Sequence, residues 1–206
     1  MAQSLDRLLH EIRACRVCVE RPQGPPLPHE PRPVVRASLT ARILIAGQAP
    51  GTRVHRSGLP FDDPSGDRLR AWMDVTREAF YDERLIAFAP MGFCFPGLDD
   101  KGGDRPPRKE CAPMWRSRLI GALPAVDLML LVGWPAQRWH LGSDAKANLT
   151  ETVRAAIAIA DRPGPVCTIP LPHPSWRNSG WLKANAWFDA EVVPRLRREV
   201  SRRVKG

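Results

Sequence analysis

Four short apolar runs constrain this chain more than any other feature. They are Ala41-Arg42-Ile43-Leu44-Ile45-Ala46, ending at Gly47; Leu85-Ile86-Ala87-Phe88-Ala89; Val126-Asp127-Leu128-Met129-Leu130-Leu131-Val132; and Val166-Cys167-Thr168-Ile169-Pro170-Leu171. Runs of this length without polar alternation suit strands buried on both faces, as in a parallel sheet. The fourth is the weakest, because Pro170 cannot donate to a central ladder. Helical patterns separate the runs, over residues 67–73, 109–123 (with Met114, Leu119 and Leu123 in rhythm), 149–160 and 181–204. Ser4 can cap a further helix with Leu5, Leu8, Leu9 and Ile12 on one face. Residues 21–33 are Pro-rich and aperiodic, and read as an extended connection. The expected fold is α/β, a three-layer α/β/α sandwich around a small, mostly parallel four-stranded sheet. It forms one domain over residues 1–206, with the N-terminal helix and Pro-rich connection occupying 1–40.

Composition narrows the function classes. The chain is 43% hydrophobic and 26% charged, which excludes a disordered segment. No apolar run approaches the ~20 residues of a membrane helix. The start, Met1-Ala2-Gln3-Ser4-Leu5-Asp6, lacks the basic-then-apolar layout of a secretory signal, so a cytoplasmic protein is expected. Lys and Arg outnumber Asp and Glu by 31 to 22, giving +9 and a pI near 10.0. Such a surplus favours a polyanionic partner, nucleic acid first among them, although an Arg-rich proteome would produce it too.

In an open α/β sheet, ligands bind beyond the carboxyl ends of the strands. There the first run exits into Gly47-Gln48-Ala49-Pro50-Gly51 and the last into His173-Pro174-Ser175. Gly and Pro fix a tight turn and let backbone approach a ligand closely. Residues 52–63 read as a loop holding His55, Asp62, Asp63 and Phe61. An aromatic ring at a loop tip offers a stacking surface for a planar base, or simply anchors the loop to the core.

These residues resemble the uracil-DNA glycosylase superfamily. The turn 47–51, followed after seven residues by Leu59-Pro60-Phe61, is similar to its motif one, with the spacing of the iron–sulfur branch. His173-Pro174-Ser175 is similar to motif two, and Arg177-Asn178 resembles the continuation found in the single-strand-selective monofunctional branch. The resemblance implies a flipped deoxyuridine hydrolysed at its glycosidic bond. It implies His173 as donor to the uracil O2, where charge develops on the leaving base. Gln48 and the backbone of Gly47, Ala49, Pro50 and Gly51 would line the pocket, and Phe61 would stack on the base. Ser175, Trp176, Arg177 and Asn178 would contact DNA, with Trp176 or Arg177 as the wedge that fills the vacated stack. The Arg-rich final helix (Arg195, Arg197, Arg198, Arg202, Arg203, Lys205) reads as a solvated face.

The departures from the family pattern are informative. Ala49 stands where the most efficient members carry Asp, and Gln48 where the iron–sulfur branch carries Glu. His55 falls at a usually acidic position and can position or deprotonate water. Asp62 and Asp63 are runners-up, with helix capping as their more ordinary role. The second run has no Asn to read the uracil edge, which leaves backbone groups of Met91, Gly92 or Phe93 and opens the range to other deaminated bases. Cys15 and Cys18, two residues apart, with Cys94 and Cys111 resemble the four ligands of a [4Fe–4S] cluster. Structural zinc on the same thiolates and four free thiols are the alternatives. Cys167 reads as core, and disulfides are not expected in a cytosolic chain.

The expected function is therefore a monofunctional glycosylase acting on uracil-containing DNA as a monomer, without a membrane partner. No Lys lies in either motif for Schiff-base cleavage. The competing class is a weak or inactive protein of the same fold that binds damaged or abasic DNA. Hydrolysis of free nucleosides fits the basic charge poorly.

Overall fold

A computed structural model of the chain describes residues 4–205. Met1, Ala2 and Gln3, part of the start from which no secretory signal is expected, lie outside the described residues, as does Gly206. The four apolar runs become β1 (Ile43–Ala46), β2 (Ile86–Phe88), β3 (Leu128–Val132) and β4 (Cys167–Leu171). They form one parallel sheet in the order β2-β1-β3-β4. Pro170 is accommodated because β4 is an edge strand, where a missing ladder donor costs least.

Helices precede, link and follow the strands. The first part of the chain carries α1 (Leu5–Arg13), α2 (Val17–Glu20), α3 (Thr52–Ser57), α4 (Pro64–Met73), α5 (Arg77–Tyr81) and α6 (Cys111–Gly121). The second carries α7 (Trp134–Leu141), α8 (Leu149–Arg154), α9 (Ala156–Ala160), α10 (Ser179–Ala184) and α11 (Val193–Val204). Ser4 caps α1 by accepting the Arg7 N–H, as its position predicts.

Alternation along β1 assigns the two faces of the sheet. Ile43 and Ile45 join Leu69, Trp72, Phe188, Leu196 and Val200 in one core. Leu44 and Ala46 join Leu8, Ile12, Trp115 and Leu119 in the other. Helices thus cover both faces, giving the three-layer α/β/α sandwich. No helix of the described residues is long and apolar enough to cross a membrane.

Several local expectations are corrected. The start of the 52–63 segment is helical rather than a loop: α3 begins after Gly51 and ends at Gly58, whose φ of +72° suits a residue without Cβ. The 149–160 pattern breaks at Ala155 into α8 and α9. The 181–204 pattern is interrupted by a π-helical turn at Phe188–Val192. Short helices α5 and α7 appear where no periodicity was legible, α5 started by the Thr76 cap.

The C-terminal arginines do not form a purely solvated face. Arg203 bonds Asp127 and Glu199, Arg195 bonds Asp161 and Glu199, and Arg197 donates to the Ala71 and Trp72 carbonyls. They pin α11 to α4 and to the sheet, while Arg198 and Lys205 stay exposed.

Candidate active site

The strand order reverses direction beside β1, so the carboxyl ends of the sheet open a crevice there. A cleft of about 470 Å³ occupies it. It is lined by the whole turn Gly47-Gln48-Ala49-Pro50-Gly51, by Phe61 and Asp63, by Phe88 at the end of β2 and Pro90 after it, and by His173 and Ser175-Trp176-Arg177-Asn178 after β4. The two turns read from the sequence therefore share one cavity.

The first turn is held from below. The Met91 N–H donates to Gly47 O at 2.9 Å and the Gly92 N–H to Gln48 O at 3.0 Å. The Phe93 N–H donates to Cys111 Sγ at 3.4 Å. Of the backbone groups expected to read a base edge, the N–H groups of Met91, Gly92 and Phe93 are thus occupied, and Gly92 and Phe93 line the cysteine pocket. The cleft wall after β2 is Pro90, held by buried Arg116, which donates to Ala89 O (2.6 Å), Pro90 O (3.1 Å) and His140 Nε2 (2.7 Å). Burial lowers Arg116 to about 10, and burial together with that cation lowers His140 to about 3, so the imidazole is a neutral acceptor.

Phe61 adopts φ +54°, rare for a residue with a side chain. Tyr81 Oη donates to its carbonyl at 3.2 Å, and Gly66 packs against the same carbonyl so closely that a Cβ would lie 1.8 Å from it. The ring meets Phe80 and Phe88 at 6.3 and 6.2 Å between centroids while lining the cleft. Anchor and cleft surface are the same side chain. Gly47 packs closely beneath it, since a Cβ there would stand 3.3 Å from Phe61 Cζ and press on the ring.

His173 accepts the Ser175 N–H at Nδ1 (3.3 Å), which leaves the proton of the neutral ring on Nε2. Burial pushes its pKa down, and nearby Asp63 opposes that only in part. The loop is clamped by Asn178 Nδ2, donating to His173 O at 2.7 Å. Arg68 clamps it as well, donating to Pro174 O at 3.2 Å and Ser175 O at 3.0 Å. Trp176 is 73% exposed, with the Arg177 guanidinium 5.7 Å from its ring centroid.

His55 is not among the residues lining the cleft. Its ring packs at a tilt against His29 (4.3 Å between centroids) and Phe95 (5.7 Å), with Nδ1 buried and unpartnered. Burial lowers its pKa, and electrostatic interaction with His29 and Arg32 adds to the shift. Asp62 pairs with Arg77 at 3.3 Å. Asp63 Oδ1 caps α4 through the Ser65 and Gly66 N–H groups at 2.8 and 3.2 Å, the ordinary role foreseen for it. Sequence reasoning missed Asp104 and Arg105, which line the cleft from a hairpin, and missed Arg68. The Asp99-Asp100-Lys101-Gly102-Gly103 cluster is a turn signal that could have revealed the hairpin.

Cys15, Cys18, Cys94 and Cys111 surround one apolar pocket with Ile12 and Trp115, on the α1–α6 side of the sheet. Burial pushes Cys18 up to about 11, and Cys94 and Cys111 up to about 12; Coulomb repulsion from neighbouring cysteines adds to each shift. Among the described residues no three of these side chains converge as a single-ion site. Cys167 lies apart in β4, packed against the other core.

The family model that matches the chain, over residues 35–197, is that described as the Uracil DNA glycosylase superfamily. The match takes in the sheet and both turns and begins after Cys15 and Cys18.

Proposed function

The chain belongs to the uracil DNA glycosylase superfamily, a family of DNA-repair glycosylases, and we propose that it removes uracil and other deaminated bases from DNA by monofunctional hydrolysis. The observation that carries this reading is the cleft itself: Phe61 and an Nε2-protonated His173 face one cavity of about 470 Å³ at the carboxyl edge of the sheet. A flipped base stacks on Phe61, and Gln48 offers an amide to its edge. As the C1′–N1 bond breaks, the electron pair moves onto the base. His173 donates a hydrogen bond to O2, where negative charge grows, and a donor preorganised for that charge lowers the barrier. Arg53, Arg105 and Arg177 at the cleft suit phosphates, and Trp176 and Arg177 suit the gap left in the stack. With no amide on β2 and the Met91, Gly92 and Phe93 N–H groups already bonded, the base edge is read loosely, which favours a range of deaminated bases.

The test is a uracil-containing oligonucleotide, single- and double-stranded, followed by alkaline cleavage. Abasic product is expected from at least one form. None at stoichiometric protein would overturn the assignment. Ala49, a methyl group where an acid would stand, favours the second reading, a protein that binds abasic DNA without turnover. Tight abasic binding with no product would select it.

We also propose that the four cysteines hold a [4Fe–4S] cluster. A cubane presents its irons at separate corners, so it needs thiols arranged around a pocket, whereas zinc draws four sulfurs to one point at ~2.3 Å. All four thiols line one apolar pocket, which supports a group bound between them. Bound there, a cluster supplies a structural tie between the α1–α2 segment and the β2–α6 connection. Gly92 lines that pocket and also donates to Gln48 O, so this tie supports the first turn. Purified protein is expected to be brown, absorbing near ~400 nm. Cys94→Ser should lower folded yield more than cleavage per folded molecule. A colourless protein with one zinc, or with no metal, would reject the cluster.

A further inference from the structure

We propose that Asp104 is the carboxylate that holds and deprotonates the attacking water, delivered to the cleft by the 97–105 hairpin rather than by the turn after β1. This inference rests on the glycosylase reading above. The turn after β1 offers the Ala49 methyl and the Gln48 amide, neither of which can take a proton from water, and His55 packs against His29 outside the cleft. Asp62 is paired with Arg77, and Asp63 is held as the cap of α4. Asp104 lines the same cavity as His173 and Phe61. Its Oδ2 lies 3.3 Å from where a Gly51 Cβ would stand, so Gly51 makes room for the carboxylate against the turn that receives the base.

The hairpin holds that carboxylate in place. Leu98 and Asp104 form an antiparallel bridge, and the Asp99 N–H donates to Gly103 O at 2.7 Å. Asp99 Oδ1 closes the turn by accepting the Lys101 and Gly103 N–H groups at 2.9 and 2.7 Å. Arg177 Nη2 donates to Gly102 O at 3.2 Å, which ties the hairpin tip to the loop that carries His173. One guanidinium thus connects the leaving-group wall to the water wall.

The reaction balances without a cofactor. The C1′–N1 bond breaks with its electron pair on the base, the water oxygen bonds C1′, and Asp104 takes the water proton. That proton returns through solvent to the departed base, giving free base and an abasic 1′-hydroxyl. The groups facing Asp104 are Arg177, which favours its ionised form, and Asp63 and Asp99, which oppose it; Arg105 is its chain neighbour in the cleft. Desolvation against the turn is the largest influence and raises its pKa, although the residue as a whole is exposed. The active carboxylate is therefore lost as pH falls, through an acid limb that begins above the range of an ordinary aspartate.

The test is single-turnover cleavage of a uracil oligonucleotide by the full chain, by Asp104→Asn and by Asp104→Glu. Thermal melts and Kd for the same DNA are measured alongside. Asp104→Asn should fold and bind normally, lose about 10²-fold in rate, the scale of a general base, and lack the acid limb. Asp104→Glu should be slow yet keep the limb. A cleaving unsubstituted protein with an equally fast Asp104→Asn variant would overturn this role and leave the glycosylase reading intact. A variant that loses binding in place of rate, or a Glu variant without the limb, would also overturn it. An unsubstituted protein that does not cleave would remove the reading itself and this role with it.

Discussion

Replacing His173 with alanine is expected to lower single-turnover cleavage of uracil-containing DNA by about 10²–10³, with little change in Kd for that DNA. The size follows from where the hydrogen bond acts. In the bound substrate O2 is a neutral carbonyl and the donor adds modest affinity. In the transition state the base carries the electron pair of the broken bond, and the same donor is worth about 3–4 kcal/mol. The ring is prepared for this by the Ser175 N–H at Nδ1, which selects the Nε2–H tautomer, and by burial, which lowers its pKa. The sign is then set: the ring is neutral at neutral pH, and only acidification below its lowered pKa converts it. Rate should not fall as pH rises through the usual histidine range. A His173→Ala variant that weakens binding and rate equally would place the histidine in substrate binding rather than at the leaving group.

The second large effect is structural. Gly66→Ala is expected to destabilise the protein by about 3 kcal/mol, the upper end for overpacking, and to lower Tm by about 10 °C. The added Cβ would lie 1.8 Å from the Phe61 carbonyl oxygen, which is backbone and cannot swing aside. Relief requires Phe61 to leave its φ of +54° and its bond from Tyr81 Oη. The ring that faces the base moves with it, so cleavage should fall about as far as the alignment of stacked base and His173 is lost, roughly 10². Gly180→Ala is the control. It lies in α10 with nothing within 4 Å of a new Cβ, so it should leave Tm unchanged or raise it through helix propensity. Equal melts for both variants would show that the Gly66 contact relaxes without cost.

Much of the fold was legible because burial on two faces and helical burial on one leave different periodicities. The runs around Ile43, Phe88 and Leu130 suit strands of a covered parallel sheet, and Ser4 announced α1 before any tertiary contact was known. The two turns were legible for a related reason: Gly47 and His173 stand at strand exits, and the carboxyl edge is where such a sheet can hold a ligand. Their meeting follows from strand order alone.

Local chemistry did not decide what each polar side chain faces. His55 and Asp63 lie eight residues apart in one segment, yet α3 carries His55 behind the cleft against His29 and Phe95 while Asp63 stays at its wall. Helix formation over 52–57 rotates each residue by a fraction of a turn, and that rotation depends on where Gly51 and Gly58 end the helix, a tertiary outcome. Arg116 shows the same limit. An arginine on a helix reads as surface, and only the carbonyls of Ala89 and Pro90 and the neutral ring of His140 make its burial tolerable. Asp104 had no motif to announce it, because a hairpin places it beside Gly51 from more than fifty residues away. Sequence determined the sheet, its helical cover and the two turns, since these follow from periodicity and backbone freedom within a few residues. The choice of which acid, which imidazole and which guanidinium enter the cleft was made by packing between distant segments, which no local pattern encodes.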